Sequence, residues 1–291
     1  MSSGSVAGDS LRSMTPERYD ALKYCFASDP EALHEVEDGA LLIAERTGVS
    51  RHHMLVTLGS GLADVAQDLG RVRCSIALAD LPGVPVPTAE GQGGELLSID
   101  VNSSHLLVAT GRSHLYEGLV PATIVRLSQI AAATGIEGAV LTNAGGCLEQ
   151  WQLGDVVVIS DHVNFSGNSP FSGASFVDIW QMWDAQYRQA MAPYADHEGV
   201  YALLRGPEYQ TRAESVLLRG AGVSMVGMST VLEAIALHQL GVRVCGLSVV
   251  SDLSFAQGTT SHSDVLAAMR SAQDPVRQAV LAVEHLIGAD A

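Results

Sequence analysis

His53-Met54-Leu55-Val56-Thr57-Leu58 runs directly into Gly59-Ser60-Gly61-Leu62. The apolar residues are contiguous, not alternating, and they stop at a glycine. A short run of this kind reads as a strand buried on both faces, in a sheet covered by helices. The pattern recurs. Residues 106–110 end at Gly111, and 139–142 end at Asn143-Ala144-Gly145-Gly146. Residues 156–159 end at Ser160-Asp161-His162, and 244–250 end at Ser251-Asp252. Helical periodicity covers 16–47, 119–134, 180–191, 211–220, 230–240 and 262–287. The alternation predicts an α/β fold, a single domain with a mixed, largely parallel twisted sheet flanked by helices. No Pro/Gly/Ser-rich linker interrupts the chain and no repeat is visible. Residues 1–14 read as a disordered lead and 15–291 as the domain.

Composition agrees. Of 291 residues, 47% are hydrophobic and only 16% charged, which excludes an unfolded chain. Sixteen Lys and Arg stand against 32 Asp and Glu, a formal charge of −16. Such a surface repels nucleic acid and anionic lipid, so neither is expected as a partner. The N-terminus has no apolar signal region, and no run of about 18 apolar residues spans a membrane. Cys25, Cys74, Cys147 and Cys245 are widely spaced, lack zinc spacing, and read as reduced thiols of a cytoplasmic protein. Asp161-His162 has no evident third ligand, so no metal is expected.

In α/β sheets, ligands gather beyond the carboxyl ends of strands, and the polar clusters sit at such ends. Gly59-Ser60-Gly61-Leu62 is either a tight strand-to-helix turn or an anion cradle of amides with the Ser60 hydroxyl. In Gly111-Arg112-Ser113-His114-Leu115-Tyr116-Glu117-Gly118, an extended chain brings Arg112, His114 and Tyr116 onto one face. Arg112 offers a fork of donors to an oxyanion, and Glu117 is placed to orient the His114 imidazole. Residues 142–148 are a flat strand end suited to a planar ring or a phosphate, or simply a bulge. Cys147 has no base written beside it and is not read as a nucleophile. Thr211 and Glu214 form a capping-box pattern, so Tyr209 and Gln210 project from the loop before a helix. Ser229 or Thr230 caps the next helix, and Glu233 in its apolar stretch needs a partner. Asp252 leaves the last strand as a turn former or a ligand group, with His262 beyond it.

Taken in order, these clusters resemble the trimeric purine nucleoside phosphorylases over residues 53–286. The resemblance implies their α/β fold, phosphorylase/hydrolase-like, and cleavage of a purine nucleoside by inorganic phosphate to free base and ribose 1-phosphate. It implies no metal or organic cofactor, phosphate being a co-substrate, and a role in purine salvage. It assigns Ser60, Gln92, Arg112, His114, Ala144 and Ser229 to phosphate. Tyr116, Tyr201 and Met228 fall to the ribose, and His262 to its 5′-hydroxyl. Tyr209 stacks near the base, which Gln210 and Asp252 hydrogen-bond. Catalysis falls to His114, Gln210 and Asp252. Phe176 resembles the aromatic that closes a neighbouring subunit's ribose site in a homotrimer.

The chain departs from that pattern at the site itself. Gln92 stands where the family has His, Gln210 where enzymes for 6-oxopurines have Glu, and Asp252 where they have Asn. Leu232 replaces a Pro, and Asn143-Ala144-Gly145-Gly146-Cys147 replaces Asn-Ala-Ala-Gly-Gly. A 6-aminopurine presents an acceptor at N1 and a donor at N6. Gln210 matches the first as donor and Asp252 the second as acceptor, so 6-aminopurine nucleosides are expected to be accepted. Two rivals remain. A 5′-methylthioadenosine phosphorylase shares Thr211-Arg212-Ala213-Glu214-Ser215, although His262 suits a hydroxyl better than a methylthio group. A catalytically weak nucleoside-binding homologue is the other.

Overall fold

The computed structural model describes residues 15–26, 29–89, 91–255 and 262–290. Among them are nine strands: β1 (Met54–Thr57), β2 (Arg71–Ala77), β3 (Glu95–Val101), β4 (Ser104–Ala109), β5 (Gly138–Cys147), β6 (Val156–Asn164), β7 (His197–Leu203), β8 (Val223–Gly227) and β9 (Arg243–Leu253). They form one mixed sheet in the order β2-β3-β4-β1-β5-β8-β7-β6-β9. β1 lies between β4 and β5 and is parallel to both. The pairs β5–β9, β6–β7 and β7–β8 are also parallel, whereas β2–β3, β3–β4, β5–β8 and β6–β9 are antiparallel.

Because β9 also pairs with β5, the strands β5, β8, β7, β6 and β9 close on themselves, and β1, β4, β3 and β2 extend from that ring as an arm. Length makes this closure possible. β5 pairs with β1 through its first residues and with β8 only through Gly146 and Cys147. The β5–β9 ladder slips register between Gly145 and Gly146, a bulge that bends the pair. Only glycine fits at the bend: a Cβ on Gly145 would stand 2.7 Å from Ser248 Oγ and 3.1 Å from the Val226 carbonyl.

The contiguous apolar runs are buried on both faces, as their pattern predicts. Leu55, Leu107 and Leu141 face one core layer with helices Pro30–Thr47, Arg126–Ala133 and Val231–Gln239. Met54, Val56, Val108 and Val140 face the other, with Ala185–Met191 and Gln273–Asp290. Such two-sided burial suits strands connected through helical crossovers.

Several expectations are corrected. The strand ends at 143–147, 160–162 and 251–252 are not ends, since β5, β6 and β9 continue through them. Glycines and polar side chains stop an apolar pattern without stopping a backbone ladder. β2, β3, β7 and β8 are strands that the contiguous apolar pattern does not mark. β2 lies at the sheet edge with mostly exposed residues, so it has no apolar run to read. The periodic stretch 16–47 is two helices, Pro16–Cys25 and Pro30–Thr47. Each opens on proline after a side-chain cap, Thr15 to Arg18 N and Asp29 to Ala32 N. Residues 119–134 divide at Val125, and 262–287 divide into His262–Ser271 and Gln273–Asp290. The Thr211–Glu214 capping box forms as read, with both reciprocal bonds present. No helix among the described residues is long and apolar enough to cross a membrane. The 1–14 lead lies outside the described residues.

Candidate functional site

The carboxyl ends of β1, β4 and β8, with the bulged far halves of β5 and β9, surround a cavity of about 930 Å³. Ser60, Gln92, Arg112, His114, Tyr116, Ala144, Tyr209, Gln210, Met228, Ser229 and Asp252 all line it. They come from seven separate segments of chain, and the topology brings them together. Two expected residues lie elsewhere. Tyr201 is fully buried behind the wall, its hydroxyl 3.5 Å from the Ser229 N–H, and burial pushes its pKa up to about 12. Phe176 is 90% exposed on a surface loop. The side chain of His262 lies outside the described residues, although its backbone opens helix His262–Ser271.

One end of the cavity gathers a buried cation, hydroxyl groups and backbone amides. Arg112 is almost wholly buried. Its Nη1 donates to Ser229 Oγ (3.2 Å) and Thr230 Oγ1 (3.1 Å), and its Nη2 to the Thr57 carbonyl (3.2 Å). Its Nε stands 3.2 Å from Glu233, within ion-pair distance but without hydrogen-bond geometry. Burial pushes the Glu233 carboxyl up, and the adjacent guanidinium pulls it back. The Arg112 backbone N–H donates to Gln92 Oε1 at 2.9 Å, which ties the Gln92 loop to the site. The Ser60 turn does not open a helix directly, since the short helix there starts at Val65 behind Asp64. Gly59-Ser60-Gly61 is therefore a free-standing turn, closed by Leu62 N–H to Gly59 O (3.1 Å).

The sequence marks Thr230 only as a possible cap. It proves to be the hub of this wall. Its φ of 77° and ψ of −52°, with a 2.9 Å bond from Val231 N–H to Ser229 O, make a γ-turn in a strained, sparsely populated region. Its hydroxyl meets Arg112 Nη1 and Asn143 Nδ2 (3.0 Å), and Asn143 Oδ1 accepts from Ser248 (2.7 Å). Asn143 stands in a quoted cluster, but nothing in the order of residues announces the positive φ at Thr230. Thr230→Val keeps the shape and removes the acceptor of two buried donors. It is expected to lower stability by about 1–3 kcal/mol. Thr230→Ser should stay near wild type in urea unfolding.

His114 is buried and stacked on Tyr116, with ring centroids 4.7 Å apart and planes 14° apart. Residues 115–117 form a tight 3₁₀ turn instead of extending, yet both rings still reach the cavity. Glu117 Oε1 accepts from the His114 backbone N–H (2.6 Å) and lies 3.2 Å from His114 Nδ1. Its other oxygen accepts from Thr88 N–H (2.7 Å) and Oγ1 (2.6 Å). Glu117 therefore orients the imidazole, as read, and also anchors the loop that carries Gln92. Burial, and then the positive Arg112, lower the His114 pKa to about 4 against the pull of Glu117. The ring is neutral at neutral pH. The tautomer that gives Nδ1–H to the carboxylate leaves Nε2 as an unprotonated acceptor.

A depressed histidine pKa stabilises the fold above pH 6.5, and that stability is lost as pH falls toward 4. His52, buried and lowered to about 3, acts in the same window, so the informative quantity is a difference. Between pH 7 and pH 5, wild type is expected to lose about 2 kcal/mol that His114→Gln retains. Urea unfolding at the two pH values measures it, and equal losses would refute the neutral buried imidazole.

The other end of the cavity is flat and polar. Gly145 and Gly146 form a floor without bulk, and Tyr209 stands 83% exposed at the rim. Gln210 Nε2 donates to Ser254 Oγ at 2.9 Å, and Asp252 lies in register with Gly146. Ser254, which also lines the cavity, has no mark in the sequence because it follows the last apolar run by several residues. Elsewhere, His162 Nδ1 accepts from the Trp183 indole (3.2 Å). Among the described residues, no group of three or more His, Cys, Asp or Glu is arranged to hold a metal ion. Cys147 is buried, and burial raises its thiol pKa.

The profile of the phosphorylase superfamily matches residues 53–284. The chain is 42% identical over 248 residues to the purine nucleoside phosphorylase of Mycobacterium tuberculosis (strain ATCC 25618 / H37Rv), covering 82% of this chain and 91% of that protein. The purine nucleoside phosphorylase of Cellulomonas sp is 39% identical over 241 residues, 79% of this chain and 85% of the relative. That of Bos taurus is 31% identical over 253 residues, 79% and 87% respectively.

Proposed function

Because the chain belongs to the phosphorylase superfamily, we propose that it is a purine nucleoside phosphorylase, a pentosyltransferase that moves a (deoxy)ribosyl group from a purine to phosphate. The observation that carries this reading is one cavity with two unlike ends, an anion wall of Arg112, His114, Ser60 and Ser229 and a flat hydrogen-bonding end of Gln210, Asp252 and Tyr209. Relatives named purine nucleoside phosphorylase support it.

The chemistry follows from the ends. Phosphate at the first end is held against the anomeric carbon of a nucleoside whose base occupies the second. The C1′–N9 bond breaks, its electron pair passes to the purine, and a phosphate oxygen bonds C1′. Holding both reactants in place removes much of the entropic barrier. The neutral His114 Nε2 accepts a hydrogen bond from a protonated phosphate oxygen, and Arg112 offsets the remaining charge. Gln92 enters through its amide, whose oxygen is engaged by Arg112 N–H, leaving Nε2 as a neutral donor where the related pattern has His. At the base, Asp252 accepts from a 6-amino group or, when protonated, donates to N7 as the leaving group gains charge. 6-Aminopurine nucleosides are the substrates this pairing favours.

Tyr116 and Met228 line the space between the ends and serve the ribose. Tyr201 acts from behind, through the segment it supports, and His262 is assigned to the 5′-hydroxyl. The exposure of Phe176, and of Trp180 at 88%, supports a homotrimer in which that segment covers a neighbouring site. A cytoplasmic setting fits the four free cysteines. No cofactor enters the scheme.

The test is base release from adenosine, inosine, guanosine and 5′-methylthioadenosine, with and without phosphate. Release that depends on phosphate, greatest with adenosine, is expected. Preference for methylthioadenosine would move the assignment to the methylthio branch, and binding without release would make the chain a nucleoside-binding homologue.

A further inference from the structure

Gln210 does not face the cavity alone. Its Nε2 donates to Ser254 Oγ at 2.9 Å, and both side chains line the cavity with Asp252. Ser254 is fixed just past the end of β9, where its backbone N–H donates to the Cys147 carbonyl at 3.0 Å. Gly146 leaves room for the pair, since a Cβ there would stand 3.3 Å from Ser254 Oγ and 3.5 Å from Gln210 Nε2. A hydroxyl both donates and accepts, and a primary amide has one edge of each kind. Ser254 therefore satisfies either orientation of the Gln210 amide: it accepts from Nε2, or after a half-turn of the amide it donates to Oε1.

We propose that Ser254 is a specificity-determining residue that lets Gln210 turn either its acceptor or its donor edge to the purine, so that the site takes both 6-oxo and 6-amino purines. This rests on the reading that Gln210 meets the base at N1. With Nε2 on Ser254, Oε1 is left for the N1–H of a 6-oxopurine. With Oε1 on Ser254, Nε2 is left for the unprotonated N1 of a 6-aminopurine. A neighbour able only to donate, or only to accept, would hold one orientation and leave an unmatched polar pair with the other base, the condition for strong rejection. Asp252 tilts the balance toward the 6-amino group, and Ser254 keeps the 6-oxo alternative open.

The experiment is calorimetric titration of adenine and of hypoxanthine into wild type, Ser254→Ala, Ser254→Thr, Gln210→Ala and the Ser254→Ala/Gln210→Ala pair. Ser254→Ala is expected to weaken both bases by a similar factor, about fivefold to tenfold. Ser254→Thr, which keeps the hydroxyl, restores binding. In the Gln210→Ala background the Ser254→Ala loss disappears, because the two residues act as one unit. A loss confined to one base overturns the proposal, as does an equal loss in the Gln210→Ala background. If neither base binds wild type, the base-site reading falls and Ser254's role falls with it. If the bases bind with the expected coupling but no nucleoside is cleaved with phosphate, the phosphorylase reading fails and the Ser254 assignment stands.

Discussion

Arg112→Ala is expected to remove two things at once: phosphate-dependent turnover, by about 10²- to 10³-fold or more, and about 3–5 kcal/mol of folding stability. The second loss arises because Glu233 is buried, stands 3.2 Å from the guanidinium, and would be left without a counter-charge. Ser229, Thr230 and the Thr57 carbonyl would each lose one donor as well. Adding Glu233→Gln separates the effects. A neutral amide still accepts from the Thr230 N–H, as Glu233 does at 3.2 Å, and needs no cation beside it. The double variant is therefore expected to regain most of the stability and none of the turnover. Urea unfolding and phosphate-dependent base release measure the two quantities. An active double variant would mean that Arg112 serves the fold and not the anion.

The second large effect concerns the base. Changing Gln210→Glu and Asp252→Asn together replaces an amide that can donate by a carboxylate that only accepts, and an accepting carboxylate by an amide that can donate, at the flat end of the cavity. The ratio of kcat/KM for inosine over adenosine is expected to swing by about 10³-fold or more, because unmatched buried polar groups reject a base far more strongly than a missing methylene does. Asp252→Asn alone should lower adenosine cleavage and change its pH dependence while sparing inosine. Equal activity of Asp252→Asn on adenosine, with a pH profile that ignores the base, would remove both the 6-amino preference and the general-acid role.

Much of this site is legible in the chain because strand ends are. Contiguous apolar runs mark strands buried on two faces, and side chains placed just after them point toward a common edge. Ser60, Arg112 and His114 are marked in that way, and Ala144 and Asp252 lie near such ends. Gln210 is marked by the cap that follows it, since Thr211 and Glu214 announce where the helix starts. Other residues carry no local mark. The hydroxyl of Thr230 becomes a hub only because Arg112 and Asn143 arrive from two other strands. Ser254 matters only because a loop more than forty residues earlier brings Gln210 within 2.9 Å of it. Tyr201 has the right chemistry for a ribose contact, yet the fold places it behind the wall.

What the amino-acid order determined by itself was local: which stretches are buried strands, where helices are capped, and which side chains bear charge or donors. These depend on composition, period and turn chemistry within a few residues. The closure of β5, β8, β7, β6 and β9 into a ring was decided only in three dimensions, because each pairing joins segments far apart in the chain. So were the bulge at Gly145–Gly146, the strained γ-turn at Thr230 and the burial that keeps His114 neutral. Each is a balance between segments that meet only when the sheet is complete, and no single segment carries it.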